Sequence, residues 1–222
     1  MRLNKYLAQN SGISRRQADE LISRGRVRID GQVAIIGAQV TKDSTVLVDD
    51  KPVQPAASIY LAFNKPRGYV CSRRRQGDSS TIYELLPPEY RTLKTVGRLD
   101  RDSSGLILLT NDGDFAQQMT HPSYYKVKRY EVSLDKALEP LHQQMIGDFG
   151  VNLDDGRSQL TLERRSDDRL DWTVTMSEGR NRQIRRTFAA LGYVVTDLHR
   201  TDFGAYHLGN LKPGKFEIVS AS

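Results

Sequence analysis

The apolar positions of the first fifty residues form two short helical patterns followed by a hairpin pattern. Apolar side chains recur at the i, i+3, i+4 spacing of a helix in two sets: Leu3, Tyr6 and Leu7, then Ala18, Leu21 and Ile22. Ser14 is a suitable N-cap for the second helix, and Gly25 can adopt the left-handed conformation that ends it. Asp30-Gly31 lies between short apolar runs and favours a two-residue hairpin. We therefore expect helix, helix, hairpin.

Beyond this unit the pattern changes to longer strand-like runs. Residues 51–58 contain two prolines and no periodicity, which indicates a linker. Strand-like apolar runs follow at residues 59–63, 106–110, 127–134 and 172–176. Such strands among loops and a few helices are typical of an α+β domain with a mixed, largely antiparallel sheet. We expect two domains, residues 1–57 with the linker included and residues 58–222.

The composition of the chain indicates the charge of its expected partner. The chain has 222 residues, 38% of them hydrophobic, and 33 Lys plus Arg against 27 Asp plus Glu, a net charge of +6. Such a chain can bury a core and favours a polyanionic partner, with nucleic acid as the first candidate. The single cysteine, Cys71, forms no intramolecular disulfide, and the four histidines lack zinc spacing. With no signal peptide or membrane span in the sequence, we expect a cytoplasmic protein, and a monomer.

Arginines are concentrated in the first predicted domain. Five of them lie in a short stretch: Arg15, Arg16, Arg24, Arg26 and Arg28. Guanidinium groups bind phosphate oxygens with two-pronged geometry, although a charged run is also typical of a solvated helix face. Residues 2–7, 14–18 and 25–31 (RLNKYL, SRRQA and GRVRIDG) resemble the alpha-L RNA-binding domain of a small-subunit ribosomal protein and several RNA-modifying enzymes. The resemblance implies RNA binding, to which Arg2 and Lys5 would also contribute.

Two polar clusters in the second domain carry candidate chemistry. Residues 97–105 (GRLDRDSSG) precede a buried strand pattern, and residues 178–186 (EGRNRQIRR) lie at the start of a predicted helix. Acids and arginines beside buried structure either pair with one another or act on a ligand. On the residues alone, Asp100 could equally be the cap of a salt-bridged turn.

Taken together, these clusters resemble the pseudouridine synthases of the group named for ribosomal small-subunit pseudouridine synthase A. Residues 63–72 (FNKPRGYVCS) and 198–200 (LHR) support the resemblance, which spans nearly the whole chain. It implies that Asp100 is the essential aspartate, Tyr130 the active-site tyrosine and Arg185 the basic residue paired with that aspartate. Residues 181–183 (NRQ) depart from the small-subunit pattern and are closer to large-subunit relatives, which leaves the RNA target open between the two.

The implied reaction explains why these residue types are needed. Uridine becomes pseudouridine when the glycosidic carbon–nitrogen bond breaks, the uracil turns, and a bond forms at carbon 5. Asp100 would attack the anomeric carbon or remove the neighbouring sugar proton, and the sequence leaves both routes open. A guanidinium within about 4–6 Å, expected from Arg185, lowers a carboxyl pKa by one to three units. Tyr130 would stack on the flipped base, the alternative being a core tyrosine. An isomerisation requires no cofactor.

Further basic residues are candidate RNA contacts around the predicted cleft. We expect phosphate contact from Arg73, Arg74 and Arg75, with surface charge as the alternative, and from Lys65 and Arg67, with turn chemistry as the alternative. The remaining candidates are Arg98, Arg180, Arg182 and Arg186. The predicted partner is ribosomal RNA or a ribosome assembly intermediate. A non-catalytic RNA-binding assembly factor remains the alternative from a different functional class.

Overall fold

A computed structural model describes residues 1–221 as an α+β protein. The helices are α1 (Leu3–Asn10), α2 (Arg15–Ser23), α3 (Gly113–Thr120), α4 (Pro140–Gln144) and α5 (Gln183–Ala189). The strands of the N-terminal part are β1 (Val27–Ile29), β2 (Gln32–Val33), β3 (Val46–Val48) and β4 (Lys51–Pro52). The later strands are β5 (Tyr60–Lys65), β6 (Lys94–Val96), β7 (Ser104–Thr110), β8 (Lys128–Leu134), β9 (Val151–Leu153), β10 (Gly156–Ser158), β11 (Thr161–Arg164), β12 (Asp171–Met176), β13 (Val195–Phe203), β14 (Tyr206–His207) and β15 (Phe216–Ile218).

The N-terminal part confirms the helix, helix, hairpin prediction. Ser14 caps α2 in a capping box, in which its hydroxyl accepts from the Gln17 amide and the Gln17 side chain accepts from the Ser14 amide. Asp30 and Gly31 have φ values of +50° and +84°, as a two-residue hairpin turn requires. The linker expectation needs one correction, because β4 takes the first two residues of segment 51–58 into the sheet β2-β1-β3-β4.

A large mixed sheet forms the second part and confirms the predicted fold class. Its strand order is β11-β12-β8-β13-β7-β5-β15, with β14 beside β13 and β6 beside β7. The β13–β7 pair is parallel and the other pairs are antiparallel. The four runs expected at the sequence level correspond to β5, β7, β8 and β12.

Side-chain alternation along the inner strands builds a core on each face of this sheet. On β7, Ile107 and Leu109 pack in one core, and Leu106 and Leu108 pack in the other. Helix α5 covers the first face with Ile184 and Phe188. The helix ends at Ala189, earlier than its apolar pattern suggests, and Leu191 lies half-buried beyond it. No helix among residues 1–221 has the length and apolarity needed to cross a lipid bilayer.

A close backbone approach joins the two central strands. Gly105 on β7 lies opposite Arg200 on β13 in the parallel pair. Its φ is +102°, and a Cβ placed there would lie 2.2 Å from the Arg200 carbonyl oxygen and 2.5 Å from the Arg200 nitrogen. Only glycine permits this spacing, since any side chain would push β13 away from β7.

Replacing Gly105 with alanine should therefore destabilise the protein severely. We expect Gly105→Ala to lower the free energy of unfolding by about 3 kcal/mol or more, because backbone strain and a steric clash add. Urea denaturation followed by circular dichroism measures the change. Gly113→Ala is the matched control, since no heavy atom lies within 4 Å of the added Cβ. Equal stability of the two variants would contradict the close approach.

Candidate active site

A cavity of about 490 Å³ opens beside the central strands of the large sheet. Its walls include Asp100 from loop 97–103, Tyr130 from β8 and Arg200 from β13. Residues 176–184, between β12 and the first turn of α5, close another side. Sites for small molecules have volumes of roughly 300–1,000 Å³. The cavity is therefore of a size suited to a single nucleotide.

Asp100 belongs to a cluster of two carboxylates and two arginines. Arg182 Nη1 donates to Asp100 Oδ2 at 3.2 Å and to Asp102 Oδ1 at 3.1 Å. Its Nη2 donates to Asp102 Oδ2 at 3.1 Å, which makes the contact with Asp102 bidentate. Arg185 Nε lies 3.3 Å from the same Asp102 oxygen. The cluster ties loop 97–103 to the start of α5.

The ion pair predicted between Asp100 and Arg185 is not formed, and Arg182 takes that place. Arg185 lies in the first turn of α5 and reaches inward, where Nη1 donates to the Val195 carbonyl at 2.6 Å and Nη2 to the Asp102 carbonyl at 3.1 Å. Arg182 precedes the helix with a φ of +46°, and its side chain meets the loop from outside. Arg185 thus holds the backbone of the loop, and Arg182 supplies the positive charge at Asp100.

Asp102 is the main counter-ion of both arginines. Hydrogen bonds from Arg182 hold the pKa of the Asp102 carboxyl below its usual value, and the charge of Arg185 acts in the same direction against burial. The same hydrogen bond raises the pKa of Arg182, whereas burial lowers the pKa of Arg185. The contact between Asp102 and Arg182 therefore favours the charged form of both groups.

Tyr130 lines the same cavity as Asp100. It lies on β8 directly opposite Arg200 of β13, and 8% of the residue is exposed. The Arg200 guanidinium carbon is 6.0 Å from the centroid of the tyrosine ring. Strand pairing thus brings together a carboxylate and an aromatic ring that are thirty residues apart in sequence.

Lys65 has no exposed surface for the RNA contact expected from the sequence, because its side chain is fully buried. Its ammonium group donates to the Ser103 carbonyl at 2.6 Å and to the Pro66 carbonyl at 3.1 Å. Burial lowers the pKa of Lys65 to about 8, while the charges of nearby groups that include Asp100 and Asp102 oppose this. Through its bond to Ser103, Lys65 holds the end of loop 97–103 against the core.

Arg180 and Arg186 also bind protein groups. Arg180 Nη1 donates to Asp155 Oδ1 at 2.8 Å, and Arg186 Nη2 donates to Asp155 Oδ2 at 2.6 Å. Arg180 donates further to the carbonyls of Gly156 and Arg157. These bonds fasten the β9–β10 hairpin to the start of α5. Arg98, by contrast, is exposed and lines the cavity.

The other basic residues expected to contact RNA fall into three groups. Some pair with carboxylates at the surface: Lys5 with Asp114, Arg24 with Glu20, Arg26 with Asp49, Arg28 with Asp50, Arg67 with Asp197 and Arg75 with Glu84. Arg73 donates to the carbonyl oxygens of Thr92 and Leu93. The third group of these candidates is exposed and forms no ion pair within residues 1–221: Arg2, Arg15, Arg16, Arg74 and Arg98. Exposed ion pairs contribute little to stability, so the paired residues can exchange their carboxylates for phosphates, and the third group is accessible without any exchange.

Sequence reasoning gave no site role to three residues of this region. Asp102, Lys128 and Arg200 all lie at or beside the cavity. The period of two along β8 puts Lys128 on the same side as Tyr130, and that signal was available in the sequence. Nothing local indicated that Asp102 is the shared counter-ion, because both of its partners come from residues 80 or more positions away.

Comparisons with known proteins find matches to two families and to several relatives. Residues 59–190 match the family described as RNA pseudouridylate synthase, and residues 1–46 match the S4 domain. The chain is 37% identical to ribosomal small subunit pseudouridine synthase A of Pasteurella multocida, over all of this chain and 97% of that protein. It is 33% identical to ribosomal large subunit pseudouridine synthase B of Bacillus subtilis, over 96% and 89%.

A solved structure supports the same similarity at the level of the fold. A crystal structure of a pseudouridylate synthase superimposes with a TM-score of 0.70 at 32% identity, covering 99% of this chain and 96% of that one. Both parts of the chain are therefore included in the similarity.

The two arginines of the cluster should differ in their effect on stability. Arg185→Met leaves the Val195 and Asp102 carbonyls without their donor, so we expect a loss of about 2–3 kcal/mol in the free energy of unfolding. Arg182→Met breaks a more exposed contact and should cost about 1 kcal/mol or less. Chemical denaturation of both variants checks this order. The reverse order would mean that Arg182 is the structural member.

The buried Lys65 should make stability depend on alkaline pH. Its folded pKa of about 8 lies below the unfolded value of 10.5, so the unfolded chain binds more protons between these limits and the free energy of unfolding rises with pH there. Relative to Lys65→Gln, which keeps a donor, the wild type should gain up to about 1.4 kcal/mol per pH unit from pH 8 to 10. Urea titrations at several pH values measure the free energy of unfolding of both proteins. A difference between them that stays constant from pH 8 to 10 would refute the prediction.

Proposed function

The chain belongs to the RNA pseudouridylate synthase family, and on that basis we propose that it converts a uridine of ribosomal RNA to pseudouridine, with the small-subunit RNA as the target. Relatives named for the small-subunit enzyme, from Pasteurella multocida, Yersinia pestis and Salmonella typhimurium, are 36–37% identical over nearly their whole length. The S4 domain supports RNA as the partner.

One observation carries the proposal. The Asp100 carboxylate lies in the wall of a nucleotide-sized cavity that also contains the Tyr130 ring, and Arg182 holds the carboxylate at 3.2 Å. A salt-bridged turn without a catalytic role would not require an adjoining cavity lined by a buried aromatic ring. The arrangement supports Asp100 as the group that meets the ribose of the bound nucleotide.

The chemistry assigned to Asp100 is the start of a balanced rearrangement. The C1′–N1 bond of uridine breaks, and the carboxylate either attacks C1′ or removes the C2′ proton. The freed uracil turns and carbon 5 bonds to C1′; in the first route the bond between the carboxylate and C1′ breaks at this point, and in the second the carboxylic acid returns its proton to C2′. The carbon 5 proton then leaves to solvent while N1 is protonated, and Asp100 is a free carboxylate again. No atom is added or lost overall, which fits a site built from a carboxylate, a tyrosine and arginines.

Tyr130 is proposed to receive the flipped base. Extruding a nucleotide from a helix costs a few kcal/mol, and stacking on an aromatic ring returns about 1–3 kcal/mol. The hydroxyl of Tyr130 would assist removal of the carbon 5 proton. Its place opposite Arg200 inside the cavity supports this role more than that of a simple core residue.

The two arginines are proposed to divide one task. Arg182 contacts Asp100 and would orient its carboxylate, in the place that the sequence assigned to Arg185. Arg185 acts through the backbone of Asp102 and is a positioning residue for loop 97–103. The exposed arginines of the N-terminal part, Arg2, Arg15 and Arg16, would bind the RNA backbone outside the cavity.

The proposal extends to the domain boundary, the oligomeric state and the cellular location of the enzyme. We place the domain boundary after residue 57, in the stretch between β4 and β5 that separates the two family matches. We expect the enzyme to act as a monomer. We expect it to work in the cytoplasm, where ribosomal RNA is matured and where a chain with one cysteine needs no disulfide.

Large-subunit ribosomal RNA is the second candidate target. Residues 181–183 read NRQ, and the structure assigns the contact with Asp100 to the arginine of this motif. A relative named for the large subunit is 33% identical over 96% of the chain. The motif therefore contributes to the reaction centre itself, and the choice of RNA must be measured.

Substituting Asp100 should abolish the reaction. We expect Asp100→Asn to lower pseudouridine formation by at least about 10³-fold, because the reacting carboxylate is removed. Release of tritium from RNA carrying [5-³H]uridine measures turnover of the purified enzyme. Asp78→Asn, at an exposed site, is the matched control and should retain full activity. Comparable activity of both variants would contradict the role of Asp100.

The same pair of variants identifies the RNA. Carbodiimide labelling and primer extension across both ribosomal RNAs should reveal one pseudouridine missing from a deletion strain, restored by the wild type and by Asp78→Asn but not by Asp100→Asn. A missing site in the large subunit would favour the second candidate. Complete modification in the deletion strain, with every growth defect rescued by Asp100→Asn, would indicate a non-catalytic assembly factor.

A further inference from the structure

Arg200 is a buried cation with an unused donor. Only 3% of the residue is exposed, and its Nε donates to the Leu106 carbonyl at 2.7 Å. Its guanidinium carbon lies 4.8 Å from the centroid of the Phe203 ring. Arg200 Nη2 is buried and has no hydrogen-bond partner in the described part of the chain. A buried donor without a partner costs free energy, which indicates a bonding partner that binds there.

Lys128 brings a second cation to the same wall. Its ammonium group lies 5.5 Å from the centroid of the Phe203 ring and donates to three backbone carbonyls, those of Lys126, Ser177 and Glu178. Burial lowers the pKa of Lys128 to about 8, and the charge of Arg200 acts in the same direction, against Glu178. Two positive groups thus share one aromatic ring and disfavour each other.

These two cations differ from the arginines of the Asp102 cluster. Across residues 1–221, neither Arg200 nor Lys128 lies within 4.0 Å of a carboxylate oxygen, whereas Arg182 and Arg185 both do. Both unpaired groups line the cavity that contains Asp100. A buried positive charge without a counter-ion is stabilised by an anion more than by a neutral acceptor.

We propose that Arg200 and Lys128 form a phosphate subsite of the cavity, in which Arg200 Nη2 donates to a non-bridging oxygen of a phosphate attached to the target uridine. The inference rests on the proposed function and specifies how its substrate is held. A guanidinium with a free edge suits a phosphate oxygen, and the lysine adds a second charge. The subsite would fix the sugar at Asp100, so that the cavity selects a nucleotide over a nucleoside.

Binding of small probes tests the subsite without turnover. Isothermal titration calorimetry with uridine, uridine 5′-monophosphate and uridine 3′-monophosphate should show one monophosphate bound about 10- to 100-fold more tightly than uridine by the wild type. The preferred monophosphate identifies which phosphate is held. Equal binding of uridine and both monophosphates up to their solubility limits would overturn the proposal.

Variants connect the preference to the two residues. In Arg200→Met the ratio of uridine to monophosphate dissociation constants should fall to near one, and Arg200→Lys should restore part of it. Lys128→Met, at a half-buried site, should reduce the ratio several-fold and keeps the test decisive if Arg200→Met does not fold. An unchanged ratio in Lys128→Met and in the folded Arg200 variants would refute the assignment. Equal weakening of uridine and monophosphate by Arg200→Met would mean that Arg200 binds the nucleoside instead.

Arg169→Met is the matched control. Arg169 also donates from Nε to a carbonyl, that of Leu138, and lies against an aromatic ring, that of Trp172. Its Nη2, however, is bonded to Gln143 Oε1 at 2.8 Å, and the residue is not part of the cavity wall. The variant should keep the wild-type ratio. A loss of the ratio in this control as well would show a general effect of removing a packed arginine and would overturn the proposal.

The proposed function and the phosphate subsite can be refuted independently of each other. A protein that prefers the monophosphate through Arg200 but modifies no ribosomal RNA would keep the subsite and refute the proposed function. An active enzyme whose tritium release is unaffected by methylphosphonate linkages on either side of its target uridine would keep the function and refute the subsite.

Discussion

The candidate active site depends on the ion pairs of the Asp102 carboxylate with two arginines. This carboxylate binds Arg182 and Arg185 together, and through them it joins the loop after β6 to the start of α5. Asp100 lies two residues earlier and shares Arg182, so its position follows from that bridge. Without the Asp102 carboxylate the two arginines would repel each other beside a buried strand, and only the Arg182–Asp100 contact and the Arg185 bond to the Asp102 carbonyl would still join the loop to the helix.

The large sheet supplies the opposite wall of the cavity. Because Gly105 lets β13 approach β7 closely, Arg200 is drawn in beside Leu106, and its neighbour on β8, Tyr130, is placed opposite loop 97–103. The parallel β13–β7 pair and the antiparallel β13–β8 pair therefore set the width of the cavity. Lys65 supports the same loop from within the core.

Positive charge is used in three ways around this frame. Arg180, Arg185 and Arg186 hold protein elements together through buried or half-buried contacts. Exposed arginines, at the N-terminal part and at the cavity mouth, remain open to the RNA backbone. Arg200 and Lys128 form a third class at the cavity: Arg200 is buried, Lys128 is half-buried, and neither pairs with a carboxylate. The basic residues behind the net charge of +6 therefore have three different roles.

From the sequence alone came the helix, helix, hairpin unit, four strands of the large sheet and the fold class, because helix caps and strand alternation are short-range properties. Asp100 and Tyr130 were candidates only through a resemblance, and the structure brings both into the wall of one cavity. The sequence interpretation paired Asp100 with Arg185 where the structure has Arg182, and it did not show that Lys65, Arg180 and Arg186 bond to other parts of the protein. Those partnerships join residues separated by 25 to 83 positions. Such long-range partners depend on how the chain packs. At the start of α5 the side chain of Arg185 is directed inward, whereas that of Arg182 stays at the surface.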